Sequence, residues 1–175
     1  VSEIEKITPE DVYFVGSHPM AGSHRTGVTA ADAALFDGSV CLVTPTESTN
    51  SEAVDMVSEF WKLLGARVET MSPQEHDFLI AAASHLPHTV ACALVQVVAG
   101  IGNDRGRALS FTATGFADAT RIASGDPEVW KGILLQNSDM VSPMLARLEK
   151  ELAEIRKVLE NGDADKLIGK LEQAK

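Results

Sequence analysis

Three strings in this sequence combine residue types that do chemistry with spacings that could bring them to bear on a ligand. The first, His18-Pro19-Met20-Ala21-Gly22-Ser23-His24-Arg25-Thr26-Gly27, directly follows a short apolar run. A neutral imidazole is the side chain suited to taking a proton near neutral pH. Its two glycines let the backbone approach a ligand closely, although an ordinary polar turn uses the same residue types. The second, Ser84-His85-Leu86-Pro87-His88, interrupts an apolar stretch from Phe78 to Ile101. Pro87 removes a backbone donor and disturbs the bond to the Ala83 carbonyl, which predicts a kinked helix. Ser84 and His88 are four apart and share a helical face. Polar side chains in such a run must find partners, either in the core or in a ligand. A metal held by His18, His24, His85 and His88 has weak support, because three-residue histidine spacing lacks a nearby carboxylate or cysteine. The third string, Gly115-Phe116-Ala117-Asp118-Ala119-Thr120-Arg121, is followed by Trp130. Asp118 and Arg121 are one helical turn apart, so the carboxylate can orient the guanidinium as a two-pronged receptor for an acid. A surface ion pair has the same spacing.

The elements around these strings change character partway along the chain. Val12–Gly16 and Val40–Thr44 are short apolar, β-branched runs and predict buried strands. Thr49 with Glu52 forms a capping box for a helix whose apolar residues are Val54, Val57, Trp61 and Leu64, ended by Gly65. Arg67–Met71 predicts a third strand. Strand–helix–strand of this length implies a βαβ unit and a parallel sheet, with His18 at the C-terminal end of a strand, where open α/β sheets bind ligands. Ser72, Pro73 and Glu75 start a helix, and no strand is expected beyond it. Asp126-Pro127 and Ser142-Pro143 open further helices. Leu145, Leu148, Leu152, Ile155 and Leu159 form a seam of alternating three- and four-residue steps suited to packing on another helix or subunit. Gly162 ends that helix, and Asp163 caps a short last one. The expected organisation is α/β plus all-α: residues 1–72 an incomplete α/β piece, residues 73–175 entirely helical.

The formal net charge of -10 over 175 residues argues against a nucleic-acid partner, whose phosphates require a basic face. The segment from Ala81 to Ser138 is nevertheless balanced and carries Arg105, Arg107 and Arg121, so a local pocket for a small anion fits an acidic protein. Two widely spaced cysteines, Cys41 and Cys92, suit reduced thiols and a cytoplasmic location. Ser84, His85, Pro87, His88 and Gln96 argue against a membrane span in the apolar stretch, since polar groups are costly in lipid. A helix buried all round in a bundle or dimer core is expected there instead. The apolar surface on this stretch and on the Leu145–Leu159 seam predicts a homodimer. No signal peptide is visible, and an opening residue other than Met suggests that an upstream segment is missing.

Taken in order, HPMAGSHRTG at 18–27, SHLPH at 84–88 and GFADATRIASGDPEVW at 115–130 resemble the prephenate and arogenate dehydrogenase family over essentially the whole chain. The resemblance implies the last strands of an N-terminal Rossmann-type domain, followed by a helical domain that forms a homodimer. It also implies oxidative decarboxylation of prephenate to 4-hydroxyphenylpyruvate with NAD or NADP, in tyrosine biosynthesis. Arogenate is the alternative substrate, and a non-catalytic dimerisation or ligand-sensing module is an alternative of another class. By resemblance His18 is the catalytic base, and Arg121 holds a substrate carboxylate with Asp118 orienting it. Ser84, His88, Ser23 and His24 are placed on the substrate side, and Trp130 in the pocket wall. Many relatives carry Glu in place of His24 and a basic residue in place of Ala117, so the pocket's charge is expected to differ here. No Gly-x-Gly-x-x-Gly lies between a strand and a helix; Gly100, Gly102 and Gly106 follow an apolar helix instead. The chain alone is therefore expected to hold the nucleotide poorly and to turn over nothing.

Overall fold

The computed structural model describes residues 1–22, 27–102 and 106–174. It divides into two compact units, Val1–Leu79 and Ile80–Lys175. The first contains helix α1 (Ser2–Ile7), strand β1 (Gly16–Pro19), strand β2 (Val40–Thr44), helix α2 (Ser51–Leu63) and strand β3 (Arg67–Thr70). The α3 helix (Pro73–Ile80) begins in it.

The centre of this unit is β2. Cys41, Leu42, Val43 and Thr44 are all buried, as a strand paired on both edges and covered on its faces requires. The β2–α2–β3 connection is the expected βαβ unit, and β2 and β3 pair in parallel, Val40 opposite Arg67 through Val43 opposite Thr70. On the other edge β1 runs antiparallel, with His18 opposite Leu42. Two expectations are corrected here. The first strand is Gly16–Pro19, not Val12–Gly16, and Val12 and Tyr13 are exposed. His18 accordingly lies within an antiparallel edge strand rather than beyond the end of a parallel one. The pairing register explains the shift. Gly16 faces Thr44 so closely that a Cβ there would sit 2.5 Å from the Thr44 hydroxyl oxygen, so this close strand start needs glycine. Pro19, which lacks an N–H, is tolerated because β1 is an edge.

Helix α2 is capped by Asn50, whose side chain accepts from the Ala53 N–H at 2.9 Å. Thr49, the expected cap, instead accepts from the Thr46 N–H and donates to Glu5 at 2.8 Å each. Val54, Val57 and Trp61 form its half-buried face, and Phe36 meets Trp61 edge-on at 5.2 Å. The helix ends as expected at Gly65, with φ 88 and a bond from the Ala66 N–H to the Trp61 carbonyl.

In the second unit a five-residue π turn, Ala81–His85, leads into α4 (Leu86–Ala99). The disturbance expected from Pro87 takes this form. With no N–H at Pro87 for the Ala83 carbonyl, the chain widens, and the Leu86 N–H bonds five residues back to Ala81. Helices α5 (Thr114–Thr120), α6 (Pro127–Gln136), α7 (Ser138–Glu160) and α8 (Ala164–Glu172) follow, and no strand occurs among the described residues of this unit. Asp126 caps α6 by accepting from Glu128 and Val129, and Asp163 caps α8 by accepting from Lys166. Pro143 does not open a helix: it lies inside α7, in its second turn, where the Asp139 carbonyl goes without the N–H it would otherwise receive. Ala81, Val141 and Met144 form the core, packed by Leu86, Leu134 and Leu145. On α7 the buried positions are Val141, Met144 and Val158, so the packed face runs beside the predicted leucine seam, and Leu152 and Leu159 stay 55% and 59% exposed. Within the chain α4 fully buries His88 and Ala91 alone, so it is not buried all round. The helical run Pro73–Ala99, 27 residues of mean hydropathy 1.6, is long and apolar enough by composition to cross a membrane.

Two substitutions test the local reading. Asn50→Ala removes the α2 cap and is expected to cost about 1 kcal/mol in urea unfolding. Gly65→Ala is expected to cost more than about 1 kcal/mol, because φ is positive there and the new Cβ would lie 3.1 Å from the Asp37 Cα.

Candidate active site

Two clusters, one in each unit, contain His18 and the pair His85 and His88. In the first unit β1 presents His18 beside the first turn of α3. That turn is held by the Ser72 hydroxyl, which accepts from the Glu75 N–H at 3.2 Å, with Pro73 at the first helical position. The arrangement places His76 against His18: Nδ1 of His18 lies 2.9 Å from Nε2 of His76, and the rings are 5.2 Å apart, centre to centre. Nδ1 of His76 is in turn 2.8 Å from the Asp77 carboxylate. Gly16, Ser17, His18, Thr44, Pro73 and His76 line a cleft of about 340 Å³. Partial withdrawal from water, and secondarily the neighbouring His76, hold the His18 pKa below the ordinary imidazole value. His18 is thus neutral at neutral pH, with one ring nitrogen engaged by His76.

The sequence reading missed His76 and Asp77. Glu75-His76-Asp77 looked like the polar first turn of a capped helix, and nothing in a separation of 58 residues from His18 signals contact. Ser23 and His24 lie outside the described residues.

In the second unit His88, on α4, stacks flat on Trp130, on α6, with ring centres 3.5 Å apart and planes 6° from parallel. His85 approaches the same indole edge-on at 6.3 Å and contacts the Asn137 amide at 3.2 Å. Gly125, just before the α6 cap, makes room for the stack. A Cβ there would fall 2.4 Å from the indole Nε1 and 3.2 Å from His88 Cε1. Nε2 of His88 is 3.5 Å from the Cys92 thiol, while its buried Nδ1 has no hydrogen-bond partner among the described residues. Burial lowers the His88 pKa, and the Ile122 backbone offsets part of that shift. The structure thus brings His88 and Trp130 together. Ser84 is half-buried on the π turn, one turn earlier. Asp118 and Arg121 are both exposed, and no ion pair joins them among the described residues. Gly125, Cys92 and Asn137 were not foreseen. A Gly before an Asp-Pro helix start reads as turn chemistry, and its steric role is visible only once Trp130 folds back over it.

Neither cluster supplies a dinucleotide cradle. Among the described residues, the loop between β2 and α2 is Pro45-Thr46-Glu47-Ser48-Thr49-Asn50, without glycine, and its Thr46 and Thr49 hydroxyls are engaged by Glu5.

Both histidines have folded-state pKa values below their unfolded ones, so the unfolded chain protonates first as the pH falls. Stability is therefore complete above about pH 6.5 and declines on acidification below it. Urea unfolding at pH 7.5 and 5.5 checks this, and His88→Gln is expected to flatten the difference. Gly125→Val is expected to expel Trp130 from the stack, seen as a shift in tryptophan emission.

Two family models match successive parts of the chain. A family described as prephenate dehydrogenase, nucleotide-binding domain, matches residues 1–70, and one described as prephenate dehydrogenase, dimerization domain, matches residues 72–173. The chain is 38% identical to the prephenate dehydrogenase of Bacillus subtilis (strain 168) over 175 residues, which is 100% of this chain and 47% of that protein. It is 33% identical to the cyclohexadienyl dehydrogenase of Zymomonas mobilis subsp. mobilis, covering 89% of this chain and 53% of that one. The chain thus spans about half the length of the curated relatives it matches. Among solved structures it is similar to Aquifex aeolicus prephenate dehydrogenase in complex with hydroxyphenyl propionate and NAD+, with a TM-score of 0.87 and 34% identity over 92% of this chain and 56% of that one. It is also similar to Synechocystis arogenate dehydrogenase, with a TM-score of 0.81 and 29% identity over 91% of this chain and 58% of that one. With a Rossmann-like N-terminal part, a helical remainder and both family matches in register, the chain belongs to the prephenate dehydrogenase family.

Proposed function

We propose that this chain, joined to a complete dinucleotide-binding domain, works as a prephenate dehydrogenase, converting prephenate to 4-hydroxyphenylpyruvate and carbon dioxide. The observation that carries the reading is His18: a neutral imidazole lining a cleft, with one ring nitrogen engaged by a neighbour and the other left for a substrate proton. NAD or NADP, when bound, accepts the hydride. The glycine fingerprint that cradles its pyrophosphate does not occur in this sequence, and the groups this chain brings to the substrate are the base and the acid receptor. His18 takes the proton of the ring hydroxyl as the hydride leaves, loss of the ring carboxylate as carbon dioxide leaves an aromatic phenolate, and the imidazolium returns the proton to give the 4-hydroxyl group. Arg121 receives a substrate carboxylate, supported by its exposed guanidinium, which has no ion pair among the described residues. Asp118, one turn earlier, serves as its orienting partner once substrate is present. Ser84 and His88 contact the substrate side, with Trp130 as pocket wall, and the resemblance assigns Ser23 and His24 to the same substrate.

Residues 1–72 act as the end of the nucleotide-binding domain and 73–175 as the substrate-binding and dimerisation domain. The partner is a second copy, which would cover the exposed Leu94, Val97, Leu152 and Leu159. No nucleic-acid or membrane partner is part of this reading, and a cytoplasmic location accompanies it, with Cys41 and Cys92 both free. Arogenate is the second candidate substrate, favoured by the likeness to the Synechocystis enzyme.

The deciding assay follows reduced nicotinamide formation by the full-length protein with prephenate or arogenate, and with NAD or NADP. His18→Asn is expected to lower kcat by roughly 100- to 10,000-fold with KM little changed. Silence with all four pairs, from a folded protein that binds nucleotide, would instead favour a sensing module. Light scattering is expected to report a dimer, and a monomer at micromolar concentration would count against the proposed partner.

A further inference from the structure

The contact between His18 and His76 does more than fill space, because the Asp77 carboxylate at its far end determines which nitrogens carry protons. A carboxylate has only acceptors to offer, so Nδ1 of His76, at 2.8 Å, must be the donor. In a neutral ring that leaves Nε2 of His76 as the acceptor. Nε2 is the atom 2.9 Å from Nδ1 of His18, which must then donate. The last atom in the sequence, Nε2 of His18, is left unprotonated. We infer that His76, oriented by Asp77, is a positioning residue that holds His18 in the Nδ1–H tautomer with Nε2 bare toward its substrate. The inference rests on the reading of His18 as the base and names the group that makes it one.

Geometry supports the assignment. His76 sits on the first turn of a helix fixed by Ser72 and Pro73, and its side chain is mostly buried, 18% exposed, against the cleft. Its ring is therefore held on both sides rather than waving in solvent. The proton balance is simple. One proton arrives at Nε2 of His18 from the substrate hydroxyl, and the imidazolium so formed keeps its Nδ1–H bond to His76. The Asp77 carboxylate stands behind that second ring as the compensating charge. A histidine pair without the carboxylate would let either ring donate, and molecules in which His76 donates would present a protonated Nε2 to the substrate. Orientation of a catalytic imidazole by a partner on its other nitrogen is the general solution to this problem.

The test uses the full-length protein and reads both chemistry and tautomer. In the wild type, ¹⁵N spectra of labelled histidine are expected to show His18 protonated at Nδ1 at neutral pH; protonation at Nε2 overturns the inference without any variant. His76→Leu is expected to lower kcat about 100-fold with KM little changed, and to shift the acid limb of the kcat profile. His76→Gln, whose amide oxygen can accept from His18 while its NH2 donates to Asp77, is expected to restore most of that loss. If His76→Leu leaves kcat and its pH profile unchanged while His18→Asn is inactive, the positioning role fails and the base stands. If His18→Asn is fully active, the base reading fails instead. Should His76→Leu not fold, the wild-type spectra and the Gln variant decide the matter.

Discussion

Everything in the first unit depends on β2 being hydrogen-bonded along both edges at once. Its parallel edge fixes β3, and with it the point at which Ser72 and Pro73 start the next helix. Its antiparallel edge fixes β1, and so the side chain of His18. Because both neighbours are registered to the same five residues, Val40–Thr44, the separation between His18 and His76 is set by backbone pairing rather than by side-chain chance. A slip of one residue on either edge would turn one of the two rings to the opposite face of the sheet or move the helix start by a strand step. The burial of β2 makes such slips costly, since they would expose its apolar side chains or leave backbone groups unpaired.

The second unit solves a different problem. An apolar helix with two buried histidines needs somewhere to put their polar atoms and their flat rings. Pro87 forces a wide turn, and Trp130 provides a surface on which His88 lies flat. Aromatic stacking and burial hold that ring, while Gly125 supplies the gap that lets the indole approach. The price is a buried Nδ1 of His88 with no hydrogen-bond partner among the described residues, a group whose desolvation opposes folding. Apolar side chains left uncovered on α4 and α7 fit the same logic at a larger scale, since a patch of this kind on a helical surface marks an interface.

Much of this was legible before the structure. The βαβ pattern, the glycine stop at Gly65, the caps at Ser72, Asp126 and Asp163, and the change to an all-helical remainder rest on local chemistry that one segment can express alone. The misreadings share a cause. Val12–Gly16 has strand composition, yet pairing starts at Gly16 because only there does β2 admit the chain. Thr49 and Ser142-Pro143 satisfy local capping rules, but Thr49 is drawn to Glu5 and Pro143 is absorbed into a helix that Asn137 already begins. The leucine seam of α7 is not among them: Leu145 packs on the core of the unit, while Leu152 and Leu159 stay exposed beside the buried Val141, Met144 and Val158.

What the sequence determined by itself was the family: a histidine string with closely following glycines, a Ser-His-Leu-Pro-His interruption of an apolar helix, and an Arg one turn from an Asp, in an order that marks it. Those are properties of residue type and short spacing, which a linear string carries in full. Tertiary structure alone decided which side chains meet. His76 and Asp77 became neighbours of His18 because parallel and antiparallel pairing on one strand closed a 58-residue interval. Gly125 became a steric requirement because Trp130 folded over it. Contacts at long sequence separation are set by the summed burial and pairing of intervening elements, and no local rule encodes that sum.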